Sequence, residues 1–193
     1  YGHINHPDFS TAGMIYGAAF SWRGEILPFE EISRQISLLE FGDRSESLVL
    51  LLAGLPEQGF GWAQAVNYLE KGKANKEMFE RTGECLEEIR KAARELYCLL
   101  PEIESPGRER AAAYLIGMRG MELLALTGGF VGEKEFGIRR EEEIPAGVLA
   151  RRLEEWFYDY KALWRGTSRE SELYRIQNVV YWYADLLREA DNG

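Results

Sequence analysis

The chain has 193 residues, which suits one domain of ordinary size, and 46% of them are hydrophobic. This composition supports a sizeable core and excludes a disordered or fibrous protein. Acidic residues outnumber basic ones by 32 to 23, which leaves a net charge of −9. Because nucleic acids and anionic membranes are bound largely through lysine and arginine, we expect neither as a partner.

The first predicted element is a short buried strand. Residues 14–20 form an apolar run between Gly13 and the polar turn Arg23-Gly24. A strand needs neighbours for its backbone hydrogen bonds, and the rest of the chain supplies no obvious partner. Since the chain also begins with Tyr1 and not with methionine, we expect it to be the tail end of a larger protein.

From Pro28 onward the hydrophobic pattern is helical. Apolar residues recur at i, i+3 and i+4, and prolines or glycines interrupt the pattern. The segment 128–145 is rich in glycine and charge, which predicts a long loop. A tight Gly166-Thr167 connection joins the last two apolar stripes, so we expect an antiparallel helical hairpin there. The predicted helices cover 28–42, 45–55, 60–72, 75–100, 105–127, 146–165 and 168–190.

The two cysteines, Cys85 and Cys98, fall within one predicted helix. A rise of about 1.5 Å per residue places them roughly 20 Å apart, far beyond disulfide reach. We interpret both as buried thiols of a protein in a reducing, cytoplasmic compartment. No apolar run approaches the ~20 residues of a membrane helix, and no signal peptide is recognisable.

No set of residues forms a complete active site. His3 and His6 have only Asp8 as a neighbouring carboxylate, so we predict no metal site. The chain has no Gly-x-Ser-x-Gly motif to mark an activated serine, and the glycines of 127–132 lack the Gly-Lys-Ser/Thr ending of a phosphate-binding loop. We therefore predict no catalytic residue and no cofactor.

Several conspicuous groups are interpreted as structural. Adjacent residues on a helix point about 100° apart, so neighbouring carboxylates do not converge on one substrate atom. These carboxylates are Glu30-Glu31, Glu87-Glu88, 141–143 and Glu154-Glu155. Aromatic residues at helical spacing favour core packing. That stripe consists of Trp156, Phe157, Tyr160 and Trp164.

Trp22 differs from those aromatic residues. It ends the predicted strand just before a turn that contains Glu25, and α/β folds place functional side chains at strand ends. The stretch 16–22 (Tyr-Gly-Ala-Ala-Phe-Ser-Trp), followed by Glu25 and the helix 28–42, resembles the barrel end of family 20 glycoside hydrolases, the β-N-acetylhexosaminidases. The resemblance implies that Trp22 lines a sugar subsite and that Glu25 hydrogen-bonds sugar hydroxyls.

Catalysis in that family depends on an Asp that orients the substrate's acetamido group and on an adjacent Glu that protonates the leaving oxygen. No Asp-Glu pair occurs in this chain. The resemblance therefore implies an inactive C-terminal fragment of a hydrolase acting on N-acetylhexosaminides. Residues 1–42 would be the remnant of a barrel end, and 43–193 a helical C-terminal domain.

The predicted fold class is thus mainly α, a bundle-like set of helices preceded by a short remnant strand. On the hydrolase hypothesis the partner of this chain is the N-terminal catalytic barrel of the parent protein. The chain then binds carbohydrate only as part of that parent. The alternative is a self-standing helical interaction module that binds a partner protein through an exposed groove, with 1–27 as a packed arm. A homodimer is compatible with either hypothesis. An unrelated all-helical enzyme has no site in its favour.

Overall fold

We describe residues 8–22, 28–57 and 59–191 from a computed structural model of the chain, and these residues form nine α-helices. They contain no strand, only an isolated antiparallel bridge between Asp43 and Ile103. The mainly α class is therefore confirmed for these ranges. The helices are α1 (Asp8–Trp22), α2 (Phe29–Phe41), α3 (Leu48–Ala53), α4 (Trp62–Lys71), α5 (Glu77–Glu80), α6 (Thr82–Leu99), α7 (Gly107–Phe136), α8 (Ala146–Thr167) and α9 (Leu173–Asp191), with 3₁₀ turns at Leu100–Glu102 and Glu170–Glu172.

The remnant strand predicted at 14–20 is wrong, because these residues belong to α1. A short apolar run is compatible with either a strand or a buried helix segment, and periodicity alone does not separate the two. The helix satisfies its own backbone hydrogen bonds, whereas a lone strand would leave its N–H and C=O groups unpaired.

The loop predicted at 128–145 is much shorter in the structure. Helix α7 continues to Phe136 and ends at Gly137, whose φ of +66° is left-handed. A left-handed glycine is a common way for a helix to end, because it has no Cβ to clash. The glycines before it lie within the helix, so the loop begins about nine residues later than the composition predicted.

Helix α7 also bears on the expectation that no segment could span a membrane. One window of Gly107–Phe136 has a mean hydropathy of 1.2, so by length and composition this helix could cross a bilayer. However, 56% of that window is buried inside the protein. A core helix passes the same test, so the observation is weak evidence for a membrane span.

The chain divides into two compact units. Unit 1 comprises Tyr1–Leu55 and Lys91–Gly117, and unit 2 comprises Pro56–Arg90 and Met118–Gly193. Helices α6 and α7 contribute residues to both units. The boundary at residue 42 concerns a parent hydrolase and stays a prediction.

Unit 1 is built around α1, α2, α3 and the parts of α6 and α7 that belong to it. Helix α2 ends at Gly42, as the sequence predicted, with a φ of +66°. Gly107 at the start of α7 lies so close to the carbonyl of Phe41 that a Cβ would overlap its oxygen. The fully buried side chains around this point include Phe41, Leu48 and Ile103.

Unit 2 contains the predicted antiparallel hairpin, formed by α8 and α9. Arg188 Nη2 on α9 donates to Glu154 Oε2 on α8 at 2.5 Å. Phe157 lies about one turn after Glu154 on α8, and Tyr181 lies about two turns before Arg188 on α9. The centroids of these two rings are 5.9 Å apart. The aromatic stripe is buried, which confirms its predicted core role; its members are Trp156, Phe157, Tyr160 and Trp164.

The two cysteines differ in exposure. Cys85 is buried in unit 2, as predicted, but Cys98 is exposed in unit 1, so the prediction of a buried thiol is wrong for Cys98. The buried positions of α6 include Leu86, Ile89 and Leu96, and Cys98 falls outside their helical spacing.

Candidate functional site

The structure describes one of the two sequence-predicted site residues. Trp22 is the last residue of α1, and its side chain is 89% exposed. Glu25 lies outside the described residues, as do His3 and His6. The predicted sugar subsite formed by Trp22 and Glu25 therefore stays a prediction.

Within the described ranges, no group of three or more His, Cys, Asp or Glu side chains could hold a metal ion. Most of the paired carboxylates are exposed, in line with their interpretation as solvated faces. Glu142 is an exception, because its Oε2 accepts a hydrogen bond from Arg90 Nη2 at 2.7 Å. Arg90 Nε donates to Glu122 Oε1 at 2.8 Å.

This Arg90 network is structural. Burial lowers the pKa of the guanidinium, but the hydrogen bonds and negative charges of Glu122 and Glu142 raise it by more, so the net shift is upward. An arginine held this firmly in its charged form does not exchange protons with a substrate. Arg90 lies on α6, Glu122 on α7 and Glu142 in the segment after α7, so these hydrogen bonds link the three elements within unit 2.

Two tyrosine hydroxyls are also buried in unit 2. Tyr68 Oη donates to Glu135 Oε1 at 2.8 Å, and Tyr183 Oη donates to the carbonyl of Ala65 at 2.8 Å. Burial, then the hydrogen bond to Glu135 and its charge, raise the pKa of Tyr68 to about 12. Burial likewise raises the pKa of Tyr183. Both hydroxyls stay protonated at neutral pH, so neither serves as a general base.

We expect the free energy of unfolding of unit 2 to fall as pH rises from about 10 to about 12. An unfolded tyrosine loses its proton near pH 10, whereas folded Tyr68 keeps its proton until about 12. In that window the unfolded state binds fewer protons than the folded state, so stability falls with pH. Urea unfolding at a series of pH values should show this slope, and Tyr68→Phe should make it shallower. Tyr158→Phe is the control, because Tyr158 is 69% exposed. A slope that Tyr68→Phe leaves unchanged would contradict the prediction.

A small cavity lies in the core of unit 2 beside Trp62, Trp156 and Tyr183. Its volume of ≈ 10 Å³ is about that of a single water position, far too small for a substrate. Trp62 Nε1 is buried and has no hydrogen-bond partner among the described residues. We interpret this cavity as a packing feature.

A second concave feature among the described residues is a groove of ≈ 170 Å³ in unit 1, between α1 and α2. Its volume is below the roughly 300–1,000 Å³ of small-molecule pockets. The groove is open and mostly apolar, and these properties suit an inserted side chain better than an enclosed ligand. The lining residues are Ile15, Ala19, Ile32, Gln35, Ile36, Leu39 and Glu40.

Helix α1 forms one wall of this groove and has an unusual surface. It carries no charged residue after Asp8, yet every side chain described from Phe9 to Trp22 is half-buried or exposed. An apolar helix of this kind is ordinarily buried in a core. Phe9 packs on Tyr114, with ring centroids 5.3 Å apart, and Tyr16 packs on Phe29 at 5.4 Å. The large apolar side chains of α1 that are exposed are Met14, Phe20 and Trp22.

Large apolar side chains stand exposed beside the groove. Leu39 on α2 lines it and is 81% exposed. Trp22 follows Ile15 by seven residues, about two helical turns, and so lies on the same side of α1. Contiguous exposed apolar side chains next to a groove are typical of interaction surfaces.

The groove also has an acidic edge. Glu31 Oε1 accepts a hydrogen bond from the amide of the lining residue Gln35 at 2.8 Å. Glu40 lines the groove itself, and its Oε1 accepts a hydrogen bond from Arg110 Nη1 at 2.6 Å. The site is therefore an apolar trough whose α2 wall carries two carboxylates, of which Glu40 is paired with Arg110.

Sequence reasoning assigned Trp22 to a sugar subsite, which stays a prediction, and it missed the groove because it assigned residues 14–20 to a strand. Two signals could have found it. The run 9–22 contains no charge, and Leu38 and Leu39 widen the apolar face of α2 beyond what one core contact needs.

Comparisons with known protein families, with curated proteins and with solved structures gave no significant match to this chain.

Proposed function

We propose that this chain is a helical protein-interaction module whose groove between α1 and α2 binds a partner protein. The observation that supports this proposal is the apolar surface of α1 and α2, which is exposed where the fold would ordinarily bury it. Monomeric soluble proteins rarely leave contiguous apolar patches of more than roughly a few hundred Å² uncovered. Tryptophan is among the side chains that most often carry the binding energy of a protein interface.

The groove suits a binding role better than a catalytic one. The described residues that line it offer one amide and one carboxylate, Gln35 and Glu40, and otherwise aliphatic groups. General acid–base or nucleophilic catalysis needs a second reactive group within hydrogen-bond reach. The carboxylate of Glu40 is already engaged by Arg110. We therefore place the function in recognition and not in chemistry.

The proposal predicts that groove variants lose partner binding without losing the fold. Helical peptides of about 16 residues, selected on the intact chain from a displayed library, should bind at least tenfold more weakly to Leu39→Glu and to Trp22→Ala. Both side chains are more than four-fifths exposed, so the midpoint of thermal unfolding should stay nearly constant.

Tyr97→Glu is the matched control, because Tyr97 is a large, 70% exposed side chain in the same unit but not among the groove's lining residues. It should leave peptide affinity unchanged. If the selection produces no binders, or binders indifferent to Leu39→Glu, the proposed function is wrong.

The hydrolase hypothesis remains a separate proposal, in which the chain supports the barrel of an enzyme acting on N-acetylhexosaminides. The residues that carry the resemblance, 16–22, are helical here, and no described contact favours this hypothesis. It predicts that the isolated chain turns over no chromogenic N-acetylhexosaminide. Measurable hydrolysis by a clean preparation would contradict it.

A further inference from the structure

The walls of the groove are two helices of 15 and 13 residues, each about 20 Å long at 1.5 Å per residue. A partner of similar length in helical form can lie along them. A peptide that binds by adding a β-strand would need a free strand edge to pair with, and the described ranges contain no strand. The shape therefore favours a docked helix over a docked strand.

The spacing of the apolar residues in the walls also suits a helix. Ile15 and Ala19 on α1, and Ile32 and Ile36 on α2, are each four residues apart, so each pair lies along one helix face. Apolar side chains at i, i+3, i+4 and i+7 of a docked helix can fit between such rows.

The charge around the groove is acidic. Helices α1 and α2 together contain four acidic residues and one basic residue. Glu40 is paired with Arg110, but the described partner of Glu31 is the neutral amide of Gln35, so the charge of Glu31 remains uncompensated there. The net charge of −9 adds a long-range field of the same sign.

These charges decide between the candidate occupants. An anionic membrane surface would be repelled by this edge, although the apolar face alone would suit a lipid. A second copy of the chain would bring the same acidic edge to the same groove. A helix with lysine or arginine beside its apolar stripe gains attraction at Glu31 and faster association.

We infer, on the basis of the proposed function, that the partner presents a basic amphipathic α-helix. Its apolar stripe enters the trough between α1 and α2, and a lysine or arginine beside the stripe pairs with Glu31. Glu40, by contrast, is already paired with Arg110, so the recognition of a basic side chain rests on Glu31.

The test uses the intact chain and a displayed library of 16-residue helical peptides. Leucines are fixed at i, i+4, i+7 and i+11, and the flanking positions are randomised. We expect selected peptides to be enriched in lysine and arginine at those flanking positions. Their affinity for the parent chain should fall as salt is raised, because an exposed pair is screened. Their affinity for Glu31→Gln should be at least threefold lower and should depend less on salt. Glu31→Lys should shift the selection toward acidic peptides.

Glu155→Gln is the matched control, because it removes one exposed carboxylate from unit 2 and so makes the same change in net charge. It should leave peptide affinity within twofold. An equal loss in Glu31→Gln and Glu155→Gln would overturn the inferred pairing.

The remaining outcomes separate this inference from the proposed function. Binders that depend on Leu39 but are enriched in acidic residues, or show no charge preference, overturn the basic helix and leave the docking function standing. The absence of Leu39-dependent binders overturns both. Sedimentation that shows a dimer, lost in Leu39→Glu, assigns the groove to a second copy of the chain and overturns the basic helix.

Discussion

Replacing Gly128 with alanine should destabilise unit 2 by about 1–3 kcal/mol, the usual cost of overpacking a core. Gly128 lies in the interior of α7, and a Cβ there would be 2.7 Å from the Cβ of Phe60. Phe60 is 2% exposed and packs against the ring of Tyr183, with centroids 6.0 Å apart. A side chain held from several directions in this way cannot move aside cheaply.

The neighbouring glycine supplies the control. A Cβ at Gly129 would meet the Cγ of Arg140 at 3.7 Å, an ordinary contact. In a helix interior, alanine is more favourable than glycine by about 0.5–1 kcal/mol, so Gly129→Ala should stabilise the protein. Urea unfolding of the two variants should therefore give free-energy changes of opposite sign. Equal changes would show that helix propensity, and not the contact with Phe60, decides both.

Asp43→Ala should destabilise unit 1 by about 3 kcal/mol or more, because buried donors left without a partner are costly. The carboxylate of Asp43 is fully buried and accepts four hydrogen bonds at the start of α3. Its Oδ1 accepts from the N–H and the hydroxyl of Ser45, and its Oδ2 from the N–H groups of Ser47 and Leu48. Alanine would leave these donors unpaired and would remove the negative charge from the helix N-terminus.

Asp43→Asn should be nearly as damaging, because one oxygen becomes an amide that faces backbone N–H donors. The control is Glu104→Gln, which weakens the exposed ion pair with Arg44 in the same unit. An exposed ion pair contributes less than about 1 kcal/mol to the free energy of unfolding, so the unfolding midpoint of this variant should stay close to that of the parent. Thermal unfolding followed by circular dichroism measures all three, and an Asp43→Ala variant as stable as Glu104→Gln would contradict the role of Asp43.

The sequence predicted the parts of the fold that depend on local signals. Gly42 ends α2 because a left-handed residue is needed there, and glycine adopts that conformation without strain. The α8–α9 hairpin follows from two apolar stripes and a short connection between them. In both cases the residues from which the feature is predicted, the glycine and the apolar stripes, are the same residues that form it.

Other parts could not be read from local signals. Gly128 and Gly137 look alike in sequence, yet the first lies within α7 and the second ends it. The difference is the presence of Phe60 against the helix backbone, 68 residues away in the chain. Likewise Asp43, unremarkable in sequence, becomes an acceptor for the N–H groups at the start of α3 only because the fold buries it beside them.

By itself the sequence determined the helical class and the acidic charge, because hydrophobic periodicity and composition are properties of the chain alone. It also singled out Trp22. Only the tertiary structure decided that the segment ending at Trp22 is a helix and that this helix forms an open trough with α2. The physical reason is that the burial of a segment depends on which surfaces pack against it in the fold. An apolar segment has the same composition whether the fold buries it in a core or leaves it exposed.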